Sequence, residues 1–408
     1  MAAATLVKYK YKANLNGKIV EDVMEAESAE AVGRRIKSNG GIPLDVRPAA
    51  SGMNTEINLN IFPKKVKLKD LSIFARQFAT MLNSGLPMLR SLTILAEQSE
   101  NEQLRTVLAE VRADVSSGMD LSKAFEKHPK VFPILMVNMT RAGETGGFLD
   151  NTMLQIAEAF EADVKLRGKI KSAMTYPVVV FIMAILMCIG MLLFIVPVFE
   201  NMFANLGGEL PLPTRILVML SEGLKKGAPL FIIGVVGLIW SWRKYSHTDQ
   251  VRNVVDPLKL RLPVFGTLFQ KIALARFSRN FATLLKSGVP ILTSLDIVAD
   301  TTGSVVISRA IREVQDSVRG GESISGPLAE HDVFPPMVVQ MMSVGEDTGA
   351  LDGMLEKIAE FYDQEVEATT EALTSLIEPL MIAFLGIVVG SMIVALYMPI
   401  FKVFDMIG

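Results

Sequence analysis

Few residues of this chain are placed to do chemistry. Its histidines, His128, His247 and His331, are far apart in sequence and form no pair at metal-ligand spacing. His128 and His331 stand beside corresponding turns and read as surface residues. No H-E-x-x-H and no G-x-x-x-x-G-K-[ST] occurs, so the chain carries neither a zinc-protease helix nor a P-loop of its own. The glycine-rich constellation is Gly143-Glu144-Thr145-Gly146-Gly147, echoed by Gly345-Glu346-Asp347-Thr348-Gly349. Successive N–H groups in such a stretch can form an anion-binding nest. A tight helix–helix turn with glycines at positive φ is the more ordinary use of the same residues. Glu144 and Glu346 then have three roles open to them: capping a helix, pairing across an interface, or holding a cation. Capping is the commonest. No catalytic, cofactor-binding or metal-binding residue is expected.

These turns belong to a unit that occurs twice. Phe74-Ala75-Arg76-Gln77-Phe78-Ala79-Thr80-Met81-Leu82-Asn83-Ser84-Gly85-Leu86-Pro87-Met88-Leu89 returns from Phe277 as FSRNFATLLKSGVPIL, with ten of sixteen positions identical. Phe74, Arg76, Phe78, Gly85 and Pro87 thus correspond to Phe277, Arg279, Phe281, Gly288 and Pro290. With one residue lost, Gly143 pairs with Gly345, Pro177 with Pro379 and Pro197 with Pro399. The register crosses from polar into apolar sequence, so the duplicated unit is a helical part followed by a membrane part.

Composition agrees. Half of the 408 residues are hydrophobic, and the mean hydropathy of +0.36 is high for a soluble protein. A net charge of −2 argues against a nucleic-acid partner. The single cysteine, Cys188, excludes an internal disulfide and reads as a small hydrophobe in an apolar run. Met1 to Lys18 lacks an apolar core of signal-peptide length, so the mature chain is expected to start there.

In chain order, residues 1–48 read as a small α+β module. Its strands lie near Val7–Lys12, Lys18–Met24 and Pro43–Arg47, with a helix capped by Ser28 and stopped by Asn39-Gly40-Gly41. The tyrosine–lysine alternation of its first strand is that of a solvated face. Residues 49–66 read as a linker. The stretch 67–171 reads as about six short-linked helices, an antiparallel bundle. Asp70 is the expected first N-cap, Ser84-Gly85-Leu86-Pro87 a stop and restart, and Gly143 the end of the fifth helix. Residues 268–372 repeat this punctuation, after a connector at 243–267.

Three stretches read as membrane-spanning: 172–199, 227–242 and 377–401. The 28 uncharged residues of the first exceed a hydrocarbon core of about 30 Å. The second is short, but Lys225, Lys226 and Arg243 can snorkel from it, and Trp240 and Trp242 suit the interface. Its crossing would put both bundles on one side of the membrane. Lys165, Arg167, Lys169 and Lys171 precede the first span, and Arg243, Lys244, Arg252, Lys259 and Arg261 follow the second. The loop 200–226 and the tail 402–408 have fewer, so the N-terminus and bundles are expected inside and the C-terminus outside. The third span is approached by acids instead (Glu360, Asp363, Glu365, Glu367 and Glu371) and opens with Glu378-Pro379 where the first has Tyr176-Pro177.

The ordered set of two Phe-x-Arg-x-Phe-Ala-Thr-x-Leu-x-Ser-Gly-x-Pro blocks, two Gly-Glu turns, Tyr176-Pro177 and Glu378-Pro379 resembles the inner-membrane platform proteins of type II secretion systems and type IV pili. The resemblance covers nearly the whole chain. It implies an all-α membrane protein with two repeated cytoplasmic bundles, a non-enzymatic scaffold in the bacterial inner membrane. It further implies a hexameric cytoplasmic assembly ATPase, pilin or pseudopilin subunits and other inner-membrane assembly proteins as partners, and self-association at least as a dimer.

Other readings fare worse. A multi-pass transporter wants buried charge at mid-membrane, a signalling component wants a larger external sensor, and an aspartyl prepilin peptidase wants aspartates that the spans lack. In the platform reading, the helix from Phe148 runs on into the first span, so a push on the bundle moves the membrane helix. The unequal approaches, basic before the first span and acidic before the third, predict different partners for the two bundles.

Overall fold

The computed structural model describes residues 7–15, 18–26, 28–38, 42–48, 65–204, 211–246, 248–263 and 265–407. The expected glycine stop at 39–41, most of the linker, residues 205–210 and His247 lie outside the described residues. The chain divides into two units, Met1–Pro63 and Lys64–Gly408.

In the first unit, β1 (Val7–Leu15) pairs antiparallel with both β2 (Lys18–Ala26) and β3 (Ile42–Pro48), in the order β2-β1-β3. Helix α1 (Ala29–Ser38) lays Val32 and Ile36, one turn apart, against Ala13 and Ala26. The Ser28 hydroxyl accepts from the Ala31 N–H at 3.2 Å and caps the helix.

The second unit is all-helical among its described residues. The first copy contributes α2 (Leu68–Asn83), α3 (Met88–Gln98), α4 (Glu102–Ser116), α5 (Leu121–Glu126), α6 (Ile134–Gly146) and α7 (Leu149–Gly190). A π-helical turn, Met191–Ile195, leads into α8 (Val196–Ala204). Then come α9 (Leu212–Tyr245) and α10 (Asp249–Arg261). The second copy follows as α11 (Phe265–Lys286), α12 (Ile291–Thr301), α13 (Val305–Arg319), α14 (Ser325–Ala329), α15 (Pro336–Thr348) and α16 (Leu351–Ile407). Much of the stretch read as an outer loop over 200–226, and of the tail at 402–408, is therefore helical, and the connector at 243–267 contains α10.

The duplicated block makes the first helix of each copy and its stop. Phe74, Phe78, Phe125 and Phe132 are buried together, with the Phe125 and Phe132 ring centroids 4.2 Å apart. Phe277 and Phe281 repeat the pattern against Phe334, with Leu328 where the first copy has Phe125. Each buried ring is worth roughly 1.5–3 kcal/mol. Gly85, at φ 78°, and Gly288, at φ 69°, supply the left-handed residue of a Schellman stop. The Leu86 N–H reaches back to the Met81 carbonyl, and Val289 to Leu284, each at 3.0 Å.

Two expectations are corrected. Asp70 is not an N-cap; it sits inside the first turn of α2, where its carboxylate accepts from the Lys67 N–H at 3.0 Å. Gly143 does not end α6. The positive φ falls on Gly147, and Gly143 is buried where α7 crosses, because a Cβ there would lie 2.5 Å from Thr152 Oγ1. Gly345 and Gly349 divide the same two tasks in the second copy.

Two helical stretches, Leu149–Met202 and Leu351–Met398, are long and apolar enough to cross a membrane, and Ile233–Trp242 is apolar but shorter. Met183, Leu186, Met187 and Phe194 are more than half exposed, as a lipid-facing surface would be.

Candidate functional site

Each copy ties its first helix to its long last helix through the motif arginine. Arg76 on α2 grips Glu161 on α7 with two parallel hydrogen bonds, Nε to Oε1 at 2.8 Å and Nη2 to Oε2 at 2.7 Å. Those hydrogen bonds hold the Glu161 carboxyl below the usual glutamate range. Arg279 makes the corresponding pair with Asp363 on α16. Here Arg279 is 13% exposed against 37% for Arg76, and burial, partly offset by Arg279, pushes the Asp363 carboxyl up. Motif spacing gave the arginines but not their partners. The repeat register would have found them, since Glu161 and Asp363 are corresponding acids.

The Gly-Glu turns act on a neighbouring helix. Both Glu144 oxygens accept from the start of α5, one from the Leu121 N–H and one from the Ser122 N–H at 3.0 Å. Glu346 does the same at α14, accepting from the Ile324 N–H at 2.6 Å, the Ser325 N–H at 3.2 Å and the Ser325 hydroxyl at 3.0 Å. This is capping in trans: a carboxylate from α6 or α15 satisfies free N–H groups and faces the positive end of a short helix. The nest reading has no support in this geometry. His128 and His331 are less exposed than surface residues would be, and they face corresponding acids, Glu110 at 3.6 Å and Glu313 at 3.4 Å.

The two copies meet along α7 and α16. Lys169 from the basic approach pairs with Glu367 from the acidic one. The unequal approaches therefore face each other at this point. Arg276 on α11 sits 3.4 Å from Asp163 on α7, and burial lowers the Arg276 pKa, partly offset by that aspartate. The Ser287 hydroxyl donates to the Gln155 side-chain oxygen. A cavity of about 270 Å³ remains in the seam, with Glu158 on one wall and Arg279, Lys286, Glu360 and Asp363 on the others.

At the far end, α9 fastens both membrane helices. A proline in a helix leaves the carbonyl four residues earlier without its N–H donor. Pro399 does this to Ala395, and the Thr214 hydroxyl of α9 donates to that carbonyl. Around Pro197 the chain forms its π-helical turn, and Ser221 donates to Leu192 O at 2.6 Å. Thr214 and Ser221 lie two turns apart on one face of α9, both buried beside Val196, Leu217 and Leu396. Cys188 is half-buried at the edge of this cluster. On α9 an apolar groove of about 730 Å³ runs past Leu192, Met219, Gly223, Gly227, Gly234 and Leu238.

Pro177 is buried inside unbroken α7, Tyr176 is 56% exposed, and Glu378 and Pro379 are exposed on α16. The structure thus brings the two motif arginines to equivalent places and sets Glu144 and Glu346 at equivalent turns. It leaves the four span-approach residues apart from both sets. Thr214, Ser221, Asp163 and Arg276 carry no motif.

Two α-helical copies, each a set of short helices ending in a long apolar one, define a duplicated helical membrane protein. The model of type II secretion system protein F matches residues 74–197 and again 277–399, beginning at the two motif phenylalanines. A type IV pilus assembly protein PilC of Thermus thermophilus is 44% identical over 397 residues, 97% of this chain and 98% of that protein. PilC of Pseudomonas aeruginosa is 36% identical, covering 91% of this chain and 98% of its own length. The type II secretion system protein F of Vibrio cholerae is 30% identical over 399 residues, 97% of this chain and 98% of its own. The chain belongs to this type II secretion F family of type IV pilus and type II secretion proteins.

Proposed function

We propose that the chain is the inner-membrane platform of a type IV pilus or type II secretion machine. In this reading it is a scaffold without catalysis of its own. It couples a cytoplasmic assembly ATPase to the insertion of pilin or pseudopilin subunits into a filament, and it works as a homo-oligomer. It crosses the membrane three times, at 172–199, 227–242 and 377–401, with the N-terminus and both bundles inside and the C-terminus outside. The motif positions, from Phe74 to Glu144 and from Phe277 to Glu346, hold the bundles in shape. Tyr176-Pro177 and Glu378-Pro379 mark where the long helices enter the bilayer.

The observation that carries the reading is the continuity of α7 and α16. The first spans Leu149–Gly190 and the second Leu351–Ile407, with no break between bundle and apolar span. A helix transmits axial and rocking displacement because its backbone hydrogen bonds resist bending. The motif arginines couple each first helix to that lever. The apolar groove on α9 suits the apolar helix of a subunit held in the bilayer, since its glycines permit close backbone approach.

The test replaces Lys171-Ser172-Ala173-Met174 by four glycines in one variant and four alanines in another. The glycine variant should still insert in the membrane and co-purify with the ATPase, yet lose surface filaments or secretion. The alanine variant should keep both. Normal filament assembly by the glycine variant would remove the lever.

A further inference from the structure

The two copies do not pack as equals. Helices α11 and α12 of the second copy lie against α6 and α7 of the first, while among the described residues α2 and α3 make no comparable packing on α15 and α16. A twofold contact would use both pairings at once. One pairing alone is head-to-tail, and it leaves each partner surface free on the far side of the molecule.

Side-chain exposure bears this out position by position. In the internal contact, Ser287 is 1% exposed and Val289 6%. Their counterparts in the first copy, Ser84 and Leu86, are exposed and half-buried. Gly288 approaches Phe148, a virtual Cβ lying 3.8 Å from its ring, whereas Gly85 meets nothing within 4 Å. On the receiving side, Gln155 holds Ser287, and its counterpart on α16, Lys357, is exposed.

The two free faces also differ from the used ones in a matched way. Where the internal contact has the Arg276–Asp163 pair, the first copy puts Ile73, 47% exposed. Where the first copy has buried Ala159, the second puts Phe361, 40% exposed. The counterpart of Asp163 is Glu365, already bonded to Lys271 at 2.7 Å. The arginine of the ion pair gives way to an apolar side chain on one free face, and Ala159 to a larger apolar one on the other, as expected if those faces cover each other.

We infer that a second copy of this chain docks through the same head-to-tail contact: its α2–α3 turn, at Ser84 to Leu86, seats on the start of α16 around Lys357 and Phe361. Ile73 of one copy packs beside Phe361 of the next. Helices α7 and α16 both leave their bundles toward the apolar spans, so the operation relating the copies keeps the membrane normal as its axis. A head-to-tail contact repeated about one such axis closes into a ring rather than an open filament. The inference rests on the self-association within the reading above and adds the surface and its polarity.

The test is cysteine cross-linking of the full chain in membranes, in a Cys188→Ser background. Chains carrying Ser84→Cys and chains carrying Lys357→Cys, with different tags, are co-expressed and oxidised. The expected result is a mixed disulfide at twice the chain mass on non-reducing gels, with neither variant bridging by itself. Ser287→Cys with Gln155→Cys in one chain should bridge internally and run at monomer mass, which reports a native fold. Phe361→Asp should abolish the mixed bridge and leave the internal one. Bridging by Ser84→Cys chains alone would show a twofold contact and overturn the proposal. So would absence of the mixed bridge between Ser84→Cys and Lys357→Cys chains that keep Phe361, while the internal control still forms. If such chains remain oligomeric by light scattering in mild detergent, this surface is wrong and self-association stands.

Discussion

The Thr214 hydroxyl donates to the Ala395 carbonyl, the oxygen that Pro399 leaves without a helical donor. A carbonyl buried from water and left without a donor is costly, so the donor must come from a neighbouring helix. Thr214→Val keeps the shape and removes the donor. It should destabilise the membrane part by about 0.5–2 kcal/mol, read as a lower unfolding temperature in detergent. Thr214→Ser should behave as the parent. Adding Pro399→Ala to Thr214→Val returns an N–H to the Ala395 carbonyl and should recover most of the loss; no recovery would mean that Thr214 acts by packing.

Glu144 satisfies two N–H groups at the start of α5, a helix of only two turns. Glu144→Ala should cost about 1–2 kcal/mol and loosen α5 first. Hydrogen exchange at Leu121 and Ser122 is the direct measurement. Glu144→Gln keeps one acceptor oxygen and should fall between. Glu346→Ala should reproduce the effect at Ile324 and Ser325.

The corresponding ion pairs should respond to acid in opposite directions. Glu161 is held below its ordinary value, so its contribution is present at neutral pH and is lost as pH falls through the lowered value. Asp363 is pushed up, so the folded state holds its proton more tightly than the unfolded state does. Its contribution is full below the ordinary aspartate value and is lost as pH rises through the raised one. Unfolding temperatures measured from neutral pH down to below the ordinary carboxylate range should therefore decline less steeply for Glu161→Gln than for the parent, and more steeply for Asp363→Asn. Identical slopes in the two variants would refute the assignment.

Lys169 and Glu367 join the basic and acidic approaches, each about 40% exposed. An exposed pair of this kind is worth about 0–1 kcal/mol, so Lys169→Glu should cost little in stability. Its effect should fall on the relation between the long helices. Lys169→Glu is expected to lower filament assembly or secretion, and Lys169→Glu with Glu367→Lys to restore it. Equal loss in the single and double variants would assign Lys169 to an outside partner instead.

The duplication, the apolar spans and the stops at Gly85 and Gly288 were legible because each is local: a repeated string, an uncharged run, a residue without Cβ. The phenylalanine faces of α2 and α11 followed from helical spacing. Asp70 and Gly143 were misplaced because capping and close approach depend on which backbone N–H, or which crossing helix, lies nearby. The contrast between basic and acidic approaches was visible, but not that Lys169 of one would meet Glu367 of the other.

Sequence by itself determined that one unit of helices plus membrane segment occurs twice, since repetition and hydropathy survive without coordinates. It also supplied the family's motifs. Tertiary structure decided what those motifs touch: Arg76 on Glu161, Glu144 on the start of α5, and Thr214 on the carbonyl beside Pro399's missing donor. It also decided that two nearly equal copies pack head-to-tail. The physical reason is range. Helix stops and apolar runs are set within a turn or two of chain. Partners such as Thr214 and Ala395 are brought together only by the packing of whole helices, and a side chain does not record which distant carbonyl it will meet.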